Sequence, residues 1–223
     1  MEPHLKTFLV SFSRSSYFPI FIYLAISLFI LGDLLKPGYI LTLDMVFAPN
    51  VKWINMFYGL EGPWISELPL IVLLDLGSHI IPVWIEQKII LLIIFCLSGA
   101  SAFFLCPAQS KAGRYFAGFL YMLNPFVYVR VMAGQWKILL AYAFLPLAVK
   151  LMIDFYESPS LLNCLKVACV ILIIGIISVP MMTLALGVLF LFFIFKILSM
   201  RRDRVAITRL ILGLTVILGA VLF

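Results

Sequence analysis

Long runs without a charged residue dominate this chain of 223 residues and decide its class. A helix needs about 20 mostly apolar residues to cross the ~30 Å hydrocarbon core of a bilayer. Three uncharged runs of 18, 18 and 29 residues, and a 19-residue run with one arginine, approach or exceed that length: Ser15–Gly32, Ile89–Cys106, Val167–Phe195 and Val205–Phe223. They lack the strict alternation of barrel strands, and helices satisfy their own backbone groups in lipid. We therefore predict an all-α integral membrane protein.

Seven transmembrane helices are predicted, forming one module over residues 1–223, with approximate bounds at 16–35, 88–106, 114–130, 137–154, 163–178, 180–198 and 206–223. Asn124-Pro125 should kink or end the third helix, because proline lacks the N–H that an inner helical turn needs. The 29-residue run would be ~44 Å long as one helix. It is therefore either one strongly tilted helix or two helices folded back at Ser178-Val179-Pro180.

Basic residues decide the orientation, because they concentrate on the cytoplasmic side of membrane proteins. With two helices in the long run, an inside N-terminus leaves eleven Lys and Arg inside and five outside. This distribution favours two helices and places the first loop, residues 36–87, outside in a multi-pass protein of the plasma membrane. Since the chain stops directly after the seventh helix, we expect it to be the N-terminal part of a longer protein.

The first loop carries most of the chemistry that could face water, including five carboxylates, three tryptophans and His79. The stretch 68–82 is apolar but too short to span a bilayer, so we expect short amphipathic helices that lie at the interface or re-enter it. Asp75 and His79 are four residues apart and would share a helix face. They could form a proton relay, or they could simply satisfy one another.

Candidate site residues follow from charge and from the predicted side of the membrane. Asp44 and Glu61 could each act as a general base toward an acceptor hydroxyl, hold a cation, or be ordinary solvated carboxylates. Arg130 and Lys137, with Gln135 between them, could bind a lipid phosphate or anchor the chain among membrane lipid headgroups. The net charge of +6 reports orientation, so no nucleic-acid partner is predicted. The cysteines lack metal-ligand spacing, and no metal cluster is predicted.

Three segments carry a resemblance to a known family: Tyr121-Met122-Leu123-Asn124-Pro125-Phe126-Val127-Tyr128-Val129-Arg130, Gly134-Gln135-Trp136 and Ala141-Tyr142-Ala143-Phe144-Leu145-Pro146-Leu147. Together they resemble GT-C-type multi-spanning glycosyltransferase-like proteins, including arabinofuranosyltransferase-like and related uncharacterised prokaryotic membrane proteins, over roughly residues 30–150. Such proteins have an inside N-terminus and a long first external loop. An acidic residue near the start of that loop serves as the catalytic base.

The resemblance implies a GT-C-like fold and sugar transfer from a polyprenyl-phosphate-linked donor at the outer face of the membrane. Asp44 would be the catalytic base, Arg130 would face the donor phosphate, and Glu61 would assist or bind substrate. A divalent metal is possible, and the oligomeric state is undefined. Family members are longer, and many have a second acidic residue in a later external loop, which Ser178-Val179-Pro180 lacks.

Two other classes of protein remain alternatives. A transporter or flippase would use helices broken by proline, and Pro125, Pro146 and Pro180 are compatible with that reading. Against it, the ionisable residues lie at the ends of the predicted helices, and the two halves show no repeat. A non-catalytic assembly subunit is the third reading.

Overall fold

The structure is a computed structural model that describes residues 17–47, 67–199 and 211–219, and every regular element in these ranges is a helix. In chain order the helices are α1 (Phe18–Leu31), α2 (Leu68–Ser78), α3 (Val83–Leu105), α4 (Lys111–Met122), α5 (Pro125–Ala133), α6 (Trp136–Glu157), α7 (Leu161–Ile177) and α8 (Val179–Ser199). A 3-10 turn at Gly32–Leu35 continues α1, and 211–219 is part of a further helix.

Five helical stretches in the described ranges are long and apolar enough to cross a membrane: Phe18–Leu35, Val83–Leu105, Lys111–Ala133, Trp136–Glu157 and Val179–Leu198. They correspond to the first, second, third, fourth and sixth predicted transmembrane helices. The predicted fifth is α7, which at 17 residues is shorter. The predicted seventh is described only at 211–219. The all-helical class is therefore as predicted, and the count of seven stays a prediction.

The third predicted helix is interrupted at Asn124-Pro125. Helix α4 ends at Met122, and α5 begins at Pro125, where proline takes the first helical position. At that position its missing N–H breaks no helical bond. The Asn124 side chain caps α5 by accepting a hydrogen bond from Val127 N at 3.0 Å. The break is the one that the sequence predicts.

The 29-residue apolar run is divided between two helices. The backbone becomes extended at Ser178, with φ −159° and ψ 108°, and helix resumes at Val179. Helix α8 packs on both α6 and α7. The Tyr156 hydroxyl, near the end of α6, donates to Leu189 O in the middle of α8 at 2.7 Å. Since α7 starts beside the end of α6, α8 runs back along α7 as the second arm of a hairpin.

Helix α3 is the centre of the bundle and packs against α1, α4 and α6. At Gly99 and Gly118 the helices approach so closely that an added Cβ would collide with the ring or hydroxyl of Tyr23. Small residues allow this kind of contact in membrane helices, where burial of apolar surface drives little association. The Tyr23 hydroxyl is satisfied by donating to Tyr115 O at 3.0 Å. Polar groups inside the bundle thus find backbone partners.

Two expectations about the first loop are corrected. Helix α3 begins at Val83, five residues before the predicted start at residue 88, and its first turns bury Glu86, Gln87 and Lys88. The helix can begin before these polar residues, because Gln87 and Lys88 have partners in the chain segment 36–45. Helix α2 is also not amphipathic. Ile71 and Leu74 are buried while Leu73 and Leu76 are exposed, so it is apolar on both faces.

The ends of the helices gather into two groups. We define the loop end as residues 36–47, 67–88 and 133–137, which are joined by contacts between Lys36 and Lys88, Ile40 and Gln87, and Lys137 and Glu67. The opposite end contains the turns from α3 to α4 and from α6 to α7. The loop end carries the candidate functional residues.

Candidate functional site at the loop end

Asp44 lies directly against the turn that joins α5 to α6. Its backbone N–H donates to Ala133 O, the last residue of α5, at 3.0 Å. The side chain is exposed and lines a pocket of about 250 Å³ whose other walls are Gly134, Gln135, Trp136, Lys137 and Ile138. The tertiary structure thus brings Asp44 together with two of the predicted substrate-binding residues, Gln135 and Lys137, although about 90 residues of chain separate them.

The turn has this shape because of Gly134. Its backbone is left-handed, with φ +76°, a conformation that side chains with a Cβ rarely adopt. Gly134 N donates to Val131 O at 3.0 Å, and Gln135 N donates to Arg130 O at 2.9 Å. These two hydrogen bonds define a Schellman motif. This ending of α5 presents Gln135 and Lys137 beside Asp44.

Lys137 has a carboxylate partner from the first loop. Its Nζ lies 2.6 Å from Glu67 Oε2, and the Glu67 side chain is only 13% exposed. Glu67 directly precedes α2, so this ion pair ties the second half of the loop to the start of α6. Glu67 is not among the site residues predicted from the sequence, because nothing in its neighbourhood along the chain points to Lys137.

Arg130 contributes to the turn from inside α5. Its Nη1 donates to Gln135 Oε1, and its guanidinium lies over the Phe126 ring, 5.3 Å from the centroid. Arg130 and Gln135 are therefore partners of each other in this structure. Arg130 itself does not line the pocket.

Two of the three segments that carry the family resemblance, 121–130 and 141–147, meet at the break between α4 and α5. The Tyr121 and Tyr142 rings stack with centroids 4.2 Å apart. Asn124 Nδ2 donates to Tyr121 O at 2.9 Å and to the Tyr142 hydroxyl at 3.0 Å, and Phe126 packs on Tyr142 at 5.2 Å. The asparagine thus caps α5 with its oxygen and satisfies the exposed end of α4 with its nitrogen. In this structure, the asparagine and aromatic residues of these segments therefore stabilise the break between α4 and α5.

An apolar groove of about 560 Å³ lies beside this break. Its walls come from α1, the 3-10 turn after it, α3, and the segment around α5: Ile30, Leu31, Leu34, Phe95, Leu123, Asn124, Pro125, Val127, Tyr128, Val131 and Met132. The groove reaches Met132, two residues before Gly134 in the wall of the pocket. A hydrocarbon chain in the groove would therefore end close to the loop end.

The proposed relay pair has a different geometry from the expected one. His79 Nδ1 lies 2.7 Å from the backbone oxygen of Asp75, not from its carboxylate. His79 lies just past the end of α2 and is exposed. Nor do Asp75 and His79 line the pocket that holds Asp44. Glu61 lies outside the described residues.

A metal centre has no ligand set in the part of the chain that the structure describes. No three His, Cys, Asp or Glu side chains come together there in a group that could hold a metal ion. Asp44 has Lys137 and Gln135 rather than further carboxylates along the pocket wall.

Gln87 is not among the residues predicted from the sequence. It is fully buried and bonds the backbone of Ile40 and Met45, on either side of Asp44. The available signal was the run Glu86-Gln87-Lys88 at the entrance to an apolar stretch. Three successive polar residues at that place require hydrogen-bond partners. The non-helical backbone at the start of the first loop could supply them.

The described residues have the make-up of an all-α membrane protein, with a polar pocket and an apolar groove at one end of the helical bundle. No protein-family model, curated protein or solved structure matches the chain.

Proposed function

We propose that this chain is a membrane glycosyltransferase-like module. It transfers a sugar from a polyprenyl-phosphate-linked donor to an acceptor hydroxyl at the outer face of the membrane, with Asp44 as the general base. The observation that carries the proposal is the placement of Asp44 in one pocket with Gln135 and Lys137. A base and an anion-binding cation on the same pocket wall are what such a transfer requires.

The apolar groove supports a lipid-linked donor. Its volume of about 560 Å³ is in the range of small-molecule sites, about 300–1,000 Å³. An isoprenoid chain could lie between α1 and α5 while its phosphate reached the loop end near Met132. Lys137 and Arg130 would then be the cations available to that phosphate, once they release Glu67 and Gln135.

The chemical step is a displacement at the anomeric carbon. The Asp44 carboxylate accepts the proton of the acceptor hydroxyl, whose oxygen forms the new bond to the sugar. The bond between the anomeric carbon and the donor phosphate oxygen breaks, and its electron pair leaves with the polyprenyl phosphate. Lys137, once it has released Glu67, stabilises the charge that develops on this leaving group.

Release of polyprenyl phosphate tests the proposal without knowledge of the acceptor, because water can also act as acceptor. The purified protein in lipid nanodiscs is incubated with polyprenyl-phosphate donors whose pentose or hexose is labelled. We expect Asp44→Asn to lower turnover by about 10²–10⁴-fold, the usual contribution of a general base. Asp33→Asn is the matched control, since Asp33 is exposed at the same end and pairs with exposed Lys36.

The outcomes separate the candidate functions. Equal turnover by wild type and Asp44→Asn would remove the catalytic assignment. Movement of labelled lipid donor between leaflets, without release of polyprenyl phosphate, would support a flippase. The helix break at Asn124 beside the apolar groove favours that second candidate, since broken helices occur at transport sites. Against it, the polar groups of the break are bonded to Tyr121 and Tyr142 and are not directed at a ligand.

A further inference from the structure

The segment that carries Asp44 is fixed in place although it has no regular structure. Residues 39–47 form neither helix nor strand. A chain without its own backbone ladder must find other partners for its N–H and C=O groups where it is buried. Met45 and Phe47 are almost fully buried on either side of exposed Val46. The hydrogen bonds that hold this segment therefore decide where the Asp44 carboxylate lies.

Gln87 supplies the first set of these bonds. Its Nε2 donates to Ile40 O at 2.7 Å, and its Oε1 accepts from Ile40 N at 2.9 Å. Nε2 also lies 3.5 Å from Met45 O, directly after Asp44. One side-chain amide thus pairs with both backbone groups of Ile40, as a neighbouring strand would. An apolar side chain of the same size could fill the space but could make none of these bonds.

The α5–α6 turn supplies the second set. Asp44 N donates to Ala133 O at 3.0 Å, and the loop backbone runs so close to Gly134 that a Cβ there would lie 2.6 Å from Met45 N. Asp44 is therefore held between Gln87 of α3 on one side and the end of α5 on the other. Lys88 adds a bond to Lys36 O, three residues before the segment.

We propose that Gln87 is a positioning residue for Asp44. It acts through the backbone at Ile40 and Met45 and keeps the carboxylate in the pocket that Gln135 and Lys137 line. Gln87 does not line that pocket itself. The inference rests on the proposed function for its catalytic meaning, but the position that it describes can be measured without any activity.

The test uses a cysteine pair at positions 44 and 137 in a background from which the native cysteines are removed. Crosslinkers of graded length report how close the two thiols come. Gln87→Met keeps the length of the side chain and removes its hydrogen bonds. We expect it to reduce short-range crosslinking by about tenfold, because the unpaired backbone groups of Ile40 no longer favour the anchored segment. Gln109→Met is the control, since Gln109 is exposed at the opposite end.

A parallel kinetic measurement uses the same substitution with Asp44 intact. We expect a lower kcat with an unchanged KM for the lipid-linked donor, because residues 39–47 do not line the groove for the lipid chain, whereas proton transfer requires Asp44. A general loss of stability would not produce this division. Gln87→Glu serves as a second variant if Gln87→Met does not fold. Gln87→Glu keeps an oxygen that accepts from Ile40 N, but it puts a second oxygen where the Nε2 donor to Ile40 O was.

Each outcome bears on one claim. Unchanged crosslinking in the Gln87 variants overturns the positioning role whatever the activity. Reduced crosslinking with an inactive wild type retains the positioning role and removes the proposed function. Reduced crosslinking with full kcat shows that the position of Asp44 does not limit turnover, and it overturns the catalytic part of the inference.

Discussion

Tyr121 and Tyr142 stack face to face, with their ring planes 2° apart, and each hydroxyl donates to the backbone oxygen of the other. Tyr121 is on α4 and Tyr142 on α6, so the pair joins two helices. Asn124 adds its side-chain amide to the Tyr142 hydroxyl at 3.0 Å. The interruption between α4 and α5 is therefore held by hydrogen bonds from side chains of α4, α6 and the break itself.

Removal of one hydroxyl should weaken this cluster. Tyr142→Phe removes the donor to Tyr121 O and the acceptor for Asn124 Nδ2, while the ring stays in place. We expect a loss of about 0.5–1.5 kcal/mol of unfolding free energy, the usual net contribution of a hydrogen bond, because Asn124 Nδ2 and Tyr121 O keep their bond to each other. Denaturation in detergent measures this loss. Tyr128→Phe is the control because Tyr128 is 68% exposed. Equal stability of the two variants would contradict a structural role for the cluster.

Gly134 should not tolerate a side chain. Gly134→Ala combines a left-handed backbone with a collision against Thr42 and Met45. Gly38 is the matched control: its φ is +122°, but nothing lies within 4 Å of an added Cβ. We expect Gly38→Ala to cost only the backbone strain, about 1–3 kcal/mol, and Gly134→Ala to cost clearly more, because a collision adds to that strain. Thermal unfolding measures both, and equal effects would show that the loop does not pack closely on Gly134.

The ion pair between Lys137 and Glu67 should matter more than an exposed pair of the same kind. Lys150 and Asp154, four residues apart on α6, are both more than 40% exposed and lie 3.4 Å apart. Such pairs contribute about 0.2–1 kcal/mol. Lys137→Met should cost more, because it leaves the shielded Glu67 carboxylate without its cation. Double-mutant cycles on the two pairs give the coupling energies, and a smaller value for Lys137 with Glu67 would refute this ranking.

The predicted orientation can be measured with single cysteines at the two ends of the bundle. His79 is exposed at the loop end and Gln109 at the opposite end. In a background without native cysteines, a membrane-impermeant maleimide added to intact cells should label His79→Cys and not Gln109→Cys. Permeabilised cells should label both. The reverse pattern on intact cells would place the first loop in the cytoplasm and end the proposal of chemistry at the outer face.

The positions of the helix breaks could be predicted, because proline acts locally. Asn124-Pro125 ends one helix and starts the next through the missing N–H and the asparagine cap, and both effects are confined to one turn. The long apolar run is interrupted at Ser178, and Pro180 takes the second position of the helix that follows. The start of α3 could not be predicted from the positions of the charged residues before the apolar run. Polar residues at 86–88 are compatible with a helix once tertiary partners bond them.

The sequence by itself determined that this chain is helical, that its helices are long and apolar enough for a bilayer, and that Asp44, Gln135 and Lys137 are candidates for chemistry. These conclusions depend on composition and local stereochemistry, which each stretch of chain carries alone. Only the tertiary structure decided that Gln87 bonds the backbone on either side of Asp44, that Glu67 pairs with Lys137, and that Arg130 bonds Gln135. The first two are contacts between residues 42 or more positions apart, set by how helices pack, and the third depends on the shape of the turn at Gly134.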